Sequence, residues 1–220
     1  DGRLPELAEG AIRQRGVYGG ATTGDSRPVR LSAGGIGTDG PEDRGLSERC
    51  LVGFNAGPPF FPSLYNNNVQ IFQSKNHAVF LTEMIHDARI VQIFESAADQ
   101  TALDADVRLW SGDSRGHWDG DTLVVVTRNF NDLTASFGTA GTSEDKVLTE
   151  RFTRVGPYTV DYEFTIEDAS TWTAAWTAVI NYSSSEDPVF EYACHEGNYG
   201  LSGILSGHRA QEQAANNSSN

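Results

Sequence analysis

Short apolar runs separated by polar breaks fill the chain from residue 68 to residue 193, a pattern typical of a protein built from β-strands. In the clearest run, 160–166, apolar residues at the even positions alternate with polar residues at the odd positions. This is the period of a strand with one buried face. About nine such runs are present, at residues 69–73, 78–85, 88–94, 107–110, 117–126, 148–155, 160–166, 172–180 and 189–193.

Two turn signals help to order these runs. Asp119-Gly120 lies inside 117–126 and predicts a tight hairpin between two strands, and Gly156-Pro157 separates 148–155 from 160–166. The regular spacing and the near absence of helical periodicity predict an all-β fold. We expect an antiparallel meander closed into a lipocalin-like barrel of about eight to nine strands, a size that can hold one small ligand.

The N-terminal and C-terminal parts of the chain differ from the middle. Residues 1–62 are rich in glycine and proline and keep no period, so they predict an extended irregular arm on the surface of the domain, with at most a short helix at 4–15. The arm ends in Gly-Pro-Pro-Phe-Phe-Pro at 57–62, which excludes regular structure locally. The barrel domain is predicted at 63–209, followed by a polar tail at 210–220 that is expected to fray without a partner.

Charge excludes several classes of partner. The chain carries 30 acidic and 16 basic residues, a formal net charge of −14. Nucleic acids and anionic lipid surfaces bind clustered Lys and Arg, so neither is an expected partner. No apolar run reaches the length of a membrane-spanning helix, and no transmembrane segment is predicted. The chain starts at Asp1 without a Met, which suggests removal of an N-terminal segment or a truncated sequence.

The two cysteines, Cys50 and Cys194, are 144 positions apart and lack the spacing of a zinc site. In an oxidising compartment they could form a disulfide that ties the arm to the last strand. The alternatives are two buried thiols, or a nucleophilic Cys194 beside His195.

Two polar clusters, the first at 83–89 and the second at 191–200, lie at the ends of apolar runs and supply the candidate catalytic residues. Polar, titratable groups at the end of a buried strand are costly to place and are often functional. In the first cluster His86 is a candidate general base, oriented by Glu83 or Asp87; the alternative is a turn in which Asp87 binds the local backbone. In the second cluster His195 is the candidate, and the alternative is a corner that needs its two glycines for their backbone angles.

Other polar residues are candidates for binding a ligand. Arg89 or Arg115 would anchor an anionic group, and Asn198 and Tyr199 would donate hydrogen bonds from a glycine-framed loop. Asn67 belongs to a triplet of asparagines, and amides suit sugar hydroxyls, although the triplet is also typical of a turn. No local spacing supports a metal site built from the two histidines and a glutamate, so no metal is expected, and the cofactor is unknown.

Long sequence words in the chain resemble those of a large group of exported bacterial proteins with no assigned function. The resemblance spans roughly residues 40–209 and rests on the words at 40–50 (GPEDRGLSERC), 65–71 (YNNNVQI), 83–90 (EMIHDARI), 112–125 (GDSRGHWDGDTLVV), 149–155 (TERFTRV) and 190–200 (FEYACHEGNYG). It implies export through a cleaved signal peptide, which fits the missing Met, and therefore a periplasmic or extracellular location. It implies no reaction. Members of the group often carry an Arg in a Phe-Arg-Gly word where this chain has Ser136-Phe137-Gly138, and many carry a His near position 147 that is absent here. If those residues are catalytic elsewhere, this chain has kept the barrel and lost the activity.

These observations predict an exported, water-soluble β-barrel protein that binds a small polar, carbohydrate-like ligand. A further hypothesis is that the protein also transforms this ligand by acid–base chemistry, with His86 and His195 as the residues that transfer protons. The alternative is a non-catalytic subunit of an extracytoplasmic assembly, in which the arm at 1–62 and the polar tail contact neighbouring subunits.

Overall fold

The computed structural model describes residues 5–6, 31–32, 35–53, 55–63, 65–131 and 143–218. The Ser136-Phe137-Gly138 word and, apart from residues 5–6, the short helix expected at 4–15 lie outside the described residues. No helix in the described part of the chain is long and apolar enough to cross a membrane.

Eight strands form one sheet in the order β10-β9-β8-β7-β6-β5-β4-β3, so neighbours along the chain are neighbours in the sheet. A separate two-stranded ladder joins β1 (Leu31–Ser32) to β2 (Gly35–Ile36). The strands of the large sheet are β3 (Val69–Gln73), β4 (His77–Thr82), β5 (Ala88–Phe94), β6 (Asp113–Asp119), β7 (Thr122–Arg128), β8 (Val147–Gly156), β9 (Thr159–Glu167) and β10 (Trp176–Ser183).

The predicted alternation sets the two faces of the sheet. On β9 the apolar side chains at even positions point to the concave face, where Tyr162, Phe164 and Ile166 are fully buried. The expected turns are present: Gly120 has φ +59° between β6 and β7, a value that glycine adopts without strain, and Gly156 ends β8. Side chains of the other strands continue these faces, because paired residues of neighbouring strands point the same way.

The fold is mostly β, as predicted, but the closed antiparallel barrel is wrong. The sheet is a half-barrel, and its edge strands β3 and β10 do not pair with each other. The pair β5–β6 is parallel, because residues 95–112 carry the chain back to the end of the sheet at which β5 begins. Residues 107–110 form no strand beyond one bridge from Leu109 to Phe130, and β6 begins at Asp113, before the run expected at 117–126.

The predicted last strand and frayed tail are also replaced. Residues 188–193 have no regular structure, α1 is Cys194–Gly197, and α2 is Tyr199–Ser218. Leu201, Leu205 and His208 are half-buried at a helical spacing of four and three, which the polar composition around them concealed. The helix therefore runs through the expected domain boundary at 209 and has no fully buried residue.

The described part of the arm packs on its own sheet. Phe60 is 2% exposed and belongs to the aromatic core of the half-barrel. The backbone N–H of Gly53 donates to the Asp87 carboxylate at 2.8 Å. The predicted disulfide is confirmed: Cys50 and Cys194 are bonded, which ties the arm to α1 instead of to a strand.

Candidate functional site

The concave face of the half-barrel contains an open cleft of about 640 Å³. It lies between edge strand β3 on one side and β8, β9 and β10 on the other, and the segment after β10 continues its wall. This volume is in the range of small-molecule sites. The cleft exists because the sheet does not close: the gap between β3 and β10 leaves part of the interior open.

The floor of the cleft is aromatic. Phe152 lies at its centre, with ring centroids 4.7 Å from Phe80 and 4.8 Å from Tyr162, the latter pair stacked. Phe60 packs 5.6 Å from Phe80, and Tyr182 packs 5.9 Å from Tyr162. Phe152 and Tyr182 are half-buried and line the cleft, so each offers a ring to a ligand.

A buried charge pair lies beneath this floor. Arg89 donates to both carboxylate oxygens of Glu150, at 2.5 and 3.1 Å, and the two side chains are 6% and 0% exposed. The Tyr162 hydroxyl donates to Glu150 at 2.8 Å and accepts from the backbone N–H of Phe60 at 3.0 Å. The Arg89 guanidinium also lies 4.9 to 5.0 Å from the ring centroids of Phe60 and Phe80. This network fixes the end of the arm to the floor of the cleft.

The same network controls the protonation of the tyrosines. Burial, followed by the Glu150 charge, raises the pKa of Tyr182 to about 12. Burial and Glu150 also raise the pKa of Tyr162 well above its usual value. Both hydroxyls are therefore neutral at physiological pH, and the hydroxyl of Tyr182 can serve a ligand as donor and acceptor.

The walls of the cleft are polar but almost uncharged. Of the lining residues only Arg154 and Asp187 carry a charge, and the guanidinium of Arg154 donates to the carbonyl oxygens of Gly156 and Pro157 at 3.1 and 2.7 Å. The remaining polar lining consists of amides and hydroxyls: Asn67, Asn68, Gln70, Gln73, Tyr158, Thr159, Tyr182, Ser183, Ser184 and Ser185.

Asn67, a predicted ligand-binding residue, is a lining residue of the cleft. Its side-chain oxygen accepts from the backbone N–H of Ser63 at 2.6 Å and from the amide of Asn55 at 3.1 Å, and its own amide donates to the carbonyl of Ser63. These bonds hold the turn between the arm and β3, so Asn67 shapes the wall of the cleft.

The predicted catalytic residues of the first cluster lie outside the lining of the cleft. His86 is exposed, with φ +56°, and its Nε2 accepts from the backbone N–H of Tyr192 at 3.0 Å. Glu83 accepts from the side-chain amide of Asn68 at 2.9 Å. Burial raises the pKa of Asp87, against the lowering effect of the Gly53 hydrogen bond. The two sequence clusters do meet, through His86 and Tyr192, in a corner that joins the strands to the C-terminal segment.

The residues of the second cluster are mostly exposed. His195 lies on α1, and the side chain of Tyr199, at the start of α2, is 80% exposed. Asn198 donates to the backbone carbonyl of Glu48 at 2.8 Å and accepts from the N–H of Leu201. Asn198 therefore fastens the arm to the beginning of α2, next to the disulfide.

The two predicted anchors for an anion already have carboxylate partners. Arg89 pairs with Glu150 beneath the cleft, as described above. Arg115 lies on the convex face and binds Asp113 at 2.7 Å and the side-chain oxygen of Gln92 at 2.7 Å. Neither guanidinium lines the cleft.

One group of possible metal ligands occurs among the described residues: Asp39, His208 and Glu212. A guanidinium nitrogen of Arg209 lies 2.9 Å from Nδ1 of His208 and bonds to the carbonyls of Thr38 and Asp39. The Arg209 guanidinium is thus bonded next to this group, and these contacts join α2 to the arm.

Sequence reasoning missed the residues at and beneath the floor of the cleft. Glu150 and Phe152 follow Leu148 at every second position of β8 and share its buried face. A glutamate at such a position was the available signal for a buried pair. No feature of the sequence indicated that Lys146 is buried. Its ammonium lies 4.1 Å from the centroid of the Phe130 ring. Burial lowers the pKa of Lys146 to about 7, although the charges of Asp168 and Glu150 act to raise it.

No protein-family model, curated protein or solved structure matches this chain in the three comparisons.

Proposed function

We propose that this protein binds a small, neutral, polar ligand of the carbohydrate type in the cleft on the concave face of the half-barrel. The observation that carries the proposal is the composition of the cleft, in which an aromatic floor faces walls of amides and hydroxyls with two charged side chains among the lining residues. A sugar ring has apolar C–H faces that stack on aromatic rings and hydroxyls that pair with amides. An anionic ligand would meet a single cation, Arg154, whose donors serve the β8–β9 turn.

The proposed activity is binding without an acid–base step. His86 and His195 are exposed side chains that do not line the cleft, and no carboxylate is hydrogen-bonded to His86 among the described contacts. A general base must come within hydrogen-bond reach of the proton that it removes. The candidate catalytic residues therefore have no position from which to act on a ligand in this cleft.

We infer a location outside the cytoplasm. The disulfide between Cys50 and Cys194 is of a kind that persists in oxidising compartments. The resemblance to exported bacterial proteins, carried by the long words in residues 40–209, supports the same location. The alternative function, an assembly subunit that wraps neighbours with its arm, is weakened because Phe60 and Gly53 of the arm contact their own sheet.

Binding is tested by isothermal titration calorimetry with neutral oligosaccharides of several glycosidic linkages and with uronic-acid oligosaccharides as the anionic comparison. The test variants are Phe152→Leu, which removes the stacking ring, and Tyr182→Phe, which removes only a hydroxyl. The matched control is Val179→Ala, on the convex face of the same strand as Tyr182.

We expect a neutral sugar to bind and both test variants to bind it about tenfold more weakly, equivalent to about 1.4 kcal/mol each. The control should bind like the wild type. Binding of anionic sugars alone, or equal affinity in all variants, would contradict the assignment to this cleft.

A further inference from the structure

A small recess adjoins the cleft where the arm meets β3. It shares five lining residues with the cleft: Phe60, Asn67, Asn68, Val69 and Tyr182. Its volume of about 10 Å³ is close to the smallest that holds one water molecule. The recess therefore has room for one hydroxyl-sized group of a ligand in the cleft and for no larger substituent.

Asn55, a residue of the arm, also lines the recess and is 8% exposed. Its amide nitrogen donates to the carbonyl oxygens of Tyr65 and Asn66 at 3.3 and 2.9 Å. It also lies 3.0 Å from the Ser63 hydroxyl and 3.1 Å from the side-chain oxygen of Asn67. A carbonyl oxygen can only accept, so these partners fix which end of the Asn55 amide is the nitrogen. The side-chain oxygen of Asn55 is therefore at the other end, away from the turn.

That oxygen of Asn55 is buried and has no hydrogen-bond partner. It is the one buried, unpartnered side-chain oxygen or nitrogen among the described residues that line the recess. Neighbouring polar groups are occupied: the Thr82 hydroxyl bonds the carbonyl of Asp87 at 3.2 Å, and the Asn68 amide donates to Glu83 at 2.9 Å. An acceptor that is buried without a donor is costly, so a ligand group that brings a donor into the recess gains affinity there.

We propose that the recess is a hydroxyl subsite of the cleft, in which the side-chain oxygen of Asn55 accepts a hydrogen bond from a neutral hydroxyl of the ligand. As applied to a sugar, this inference rests on the proposed function. A hydroxyl has both the size and the donor that the recess requires. An ammonium group would lose its hydration in a lining without a charged side chain, and a methoxy or N-acetyl group is too large.

The subsite is tested without a sugar by NMR, through the side-chain amide signals of Asn55 in the full chain. Methanol is the hydroxyl probe, and acetonitrile is the matched small probe without a hydroxyl. Val69→Leu adds bulk to the recess, because Val69 pairs with the buried Thr82, and it leaves every hydrogen bond of Asn55 in place. Val79→Leu makes the same change on the convex face of β4 and is the control.

We expect methanol to shift the Asn55 signals in the wild type and in Val79→Leu, and acetonitrile to leave them unchanged. The response to methanol should be lost in Val69→Leu, whose backbone spectrum reports whether it is folded. The comparison of the two probes in the wild type needs no variant. An equal response to both probes, no response to methanol, or a response that persists in folded Val69→Leu overturns the subsite.

The role of the subsite in sugar selectivity is tested by calorimetry with the methyl glycosides of glucose, galactose and mannose. In their derivatives one hydroxyl at a time is replaced by fluorine, which is similar in size but has no hydrogen to donate. We expect replacement at one position to weaken binding by about tenfold or more in the wild type and in Val79→Leu, because it leaves the Asn55 oxygen unpaired. The difference should disappear in Val69→Leu.

The two experiments separate this inference from the proposed function. If a neutral sugar binds in the cleft and no single fluorine substitution weakens it, the hydroxyl subsite is overturned and the sugar cleft stands. If methanol shifts the Asn55 signals and no neutral sugar binds, the hydroxyl subsite stands and the proposed function fails.

Discussion

Removing one member of the buried Arg89–Glu150 pair should cost far more stability than removing both. In Glu150→Gln the Arg89 guanidinium keeps its charge at 6% exposure but faces a neutral amide in place of the carboxylate. In Arg89→Met the Glu150 carboxylate remains at 0% exposure with the Tyr162 hydroxyl as a donor. An uncompensated charge of this kind costs about 3–5 kcal/mol, a large part of the total stability of a typical domain, about 5–15 kcal/mol.

The double variant Arg89→Met/Glu150→Gln leaves no charge at either position. The introduced glutamine would still present an oxygen to the Tyr162 hydroxyl, and the introduced methionine would fill the space between the rings of Phe60 and Phe80. The free energy of unfolding, from urea denaturation followed by tryptophan fluorescence at pH 7, should therefore fall less in the double variant than in either single variant. Additive losses in the double variant would refute the view that the cost lies in stranding a buried charge.

Three further predictions concern other parts of the fold. Burial lowers the pKa of Lys146 from 10.5 to about 7, so between these pH values the unfolded chain binds more protons than the folded chain. The free energy of unfolding of the wild type should therefore rise with pH by up to about 1.4 kcal/mol per pH unit relative to Lys146→Met, as urea denaturation midpoints would show. Parallel pH profiles of the two proteins would contradict this. Replacing Cys50 and Cys194 together by Ser opens a 144-residue loop and should cost about 5 kcal/mol in the same denaturation assay, whereas an unchanged midpoint would mean that the disulfide does not constrain the unfolded chain. In His86→Asn the new asparagine tolerates the left-handed backbone, and the variant should lose about 1 kcal/mol of stability with the hydrogen bond to Tyr192 while its sugar binding stays intact. Loss of sugar binding in this variant would mean that His86 belongs to the functional site.

Local sequence signals predicted the local features of this fold. The alternation in 160–166, the Asp119-Gly120 turn and the break at Gly156-Pro157 all depend on neighbouring residues, and the structure has β9 and both hairpins where these signals place them. The disulfide between Cys50 and Cys194 is a long-range feature, but two cysteines in an oxidising compartment leave one possible partner for each. The parallel pairing of β5 with β6 had no such signal, because it depends on the path of residues 95–112.

The candidate site shows the limit of reasoning from polar clusters. The candidate catalytic residues Glu83, His86 and Asp87 are close together along the chain. Their side chains bind the residue before β3, the C-terminal segment and the arm, respectively. Glu150 and Arg89, which meet beneath the cleft, are 61 positions apart and share no motif. The signal that could have joined them is physical: each is a charged residue at an apolar position of an alternating strand.

The same alternation argument separates the two faces of the sheet by function. On β5, inward positions hold Arg89 and Val91 and outward positions hold Ala88 and Ile90, so one strand supports the cleft with one face and presents an uncharged surface with the other. Because neighbouring residues point to opposite faces, Ile90→Lys and Arg89→Met perturb different properties although they are adjacent in sequence. The first should leave sugar affinity intact, and the second should change stability and the floor of the cleft.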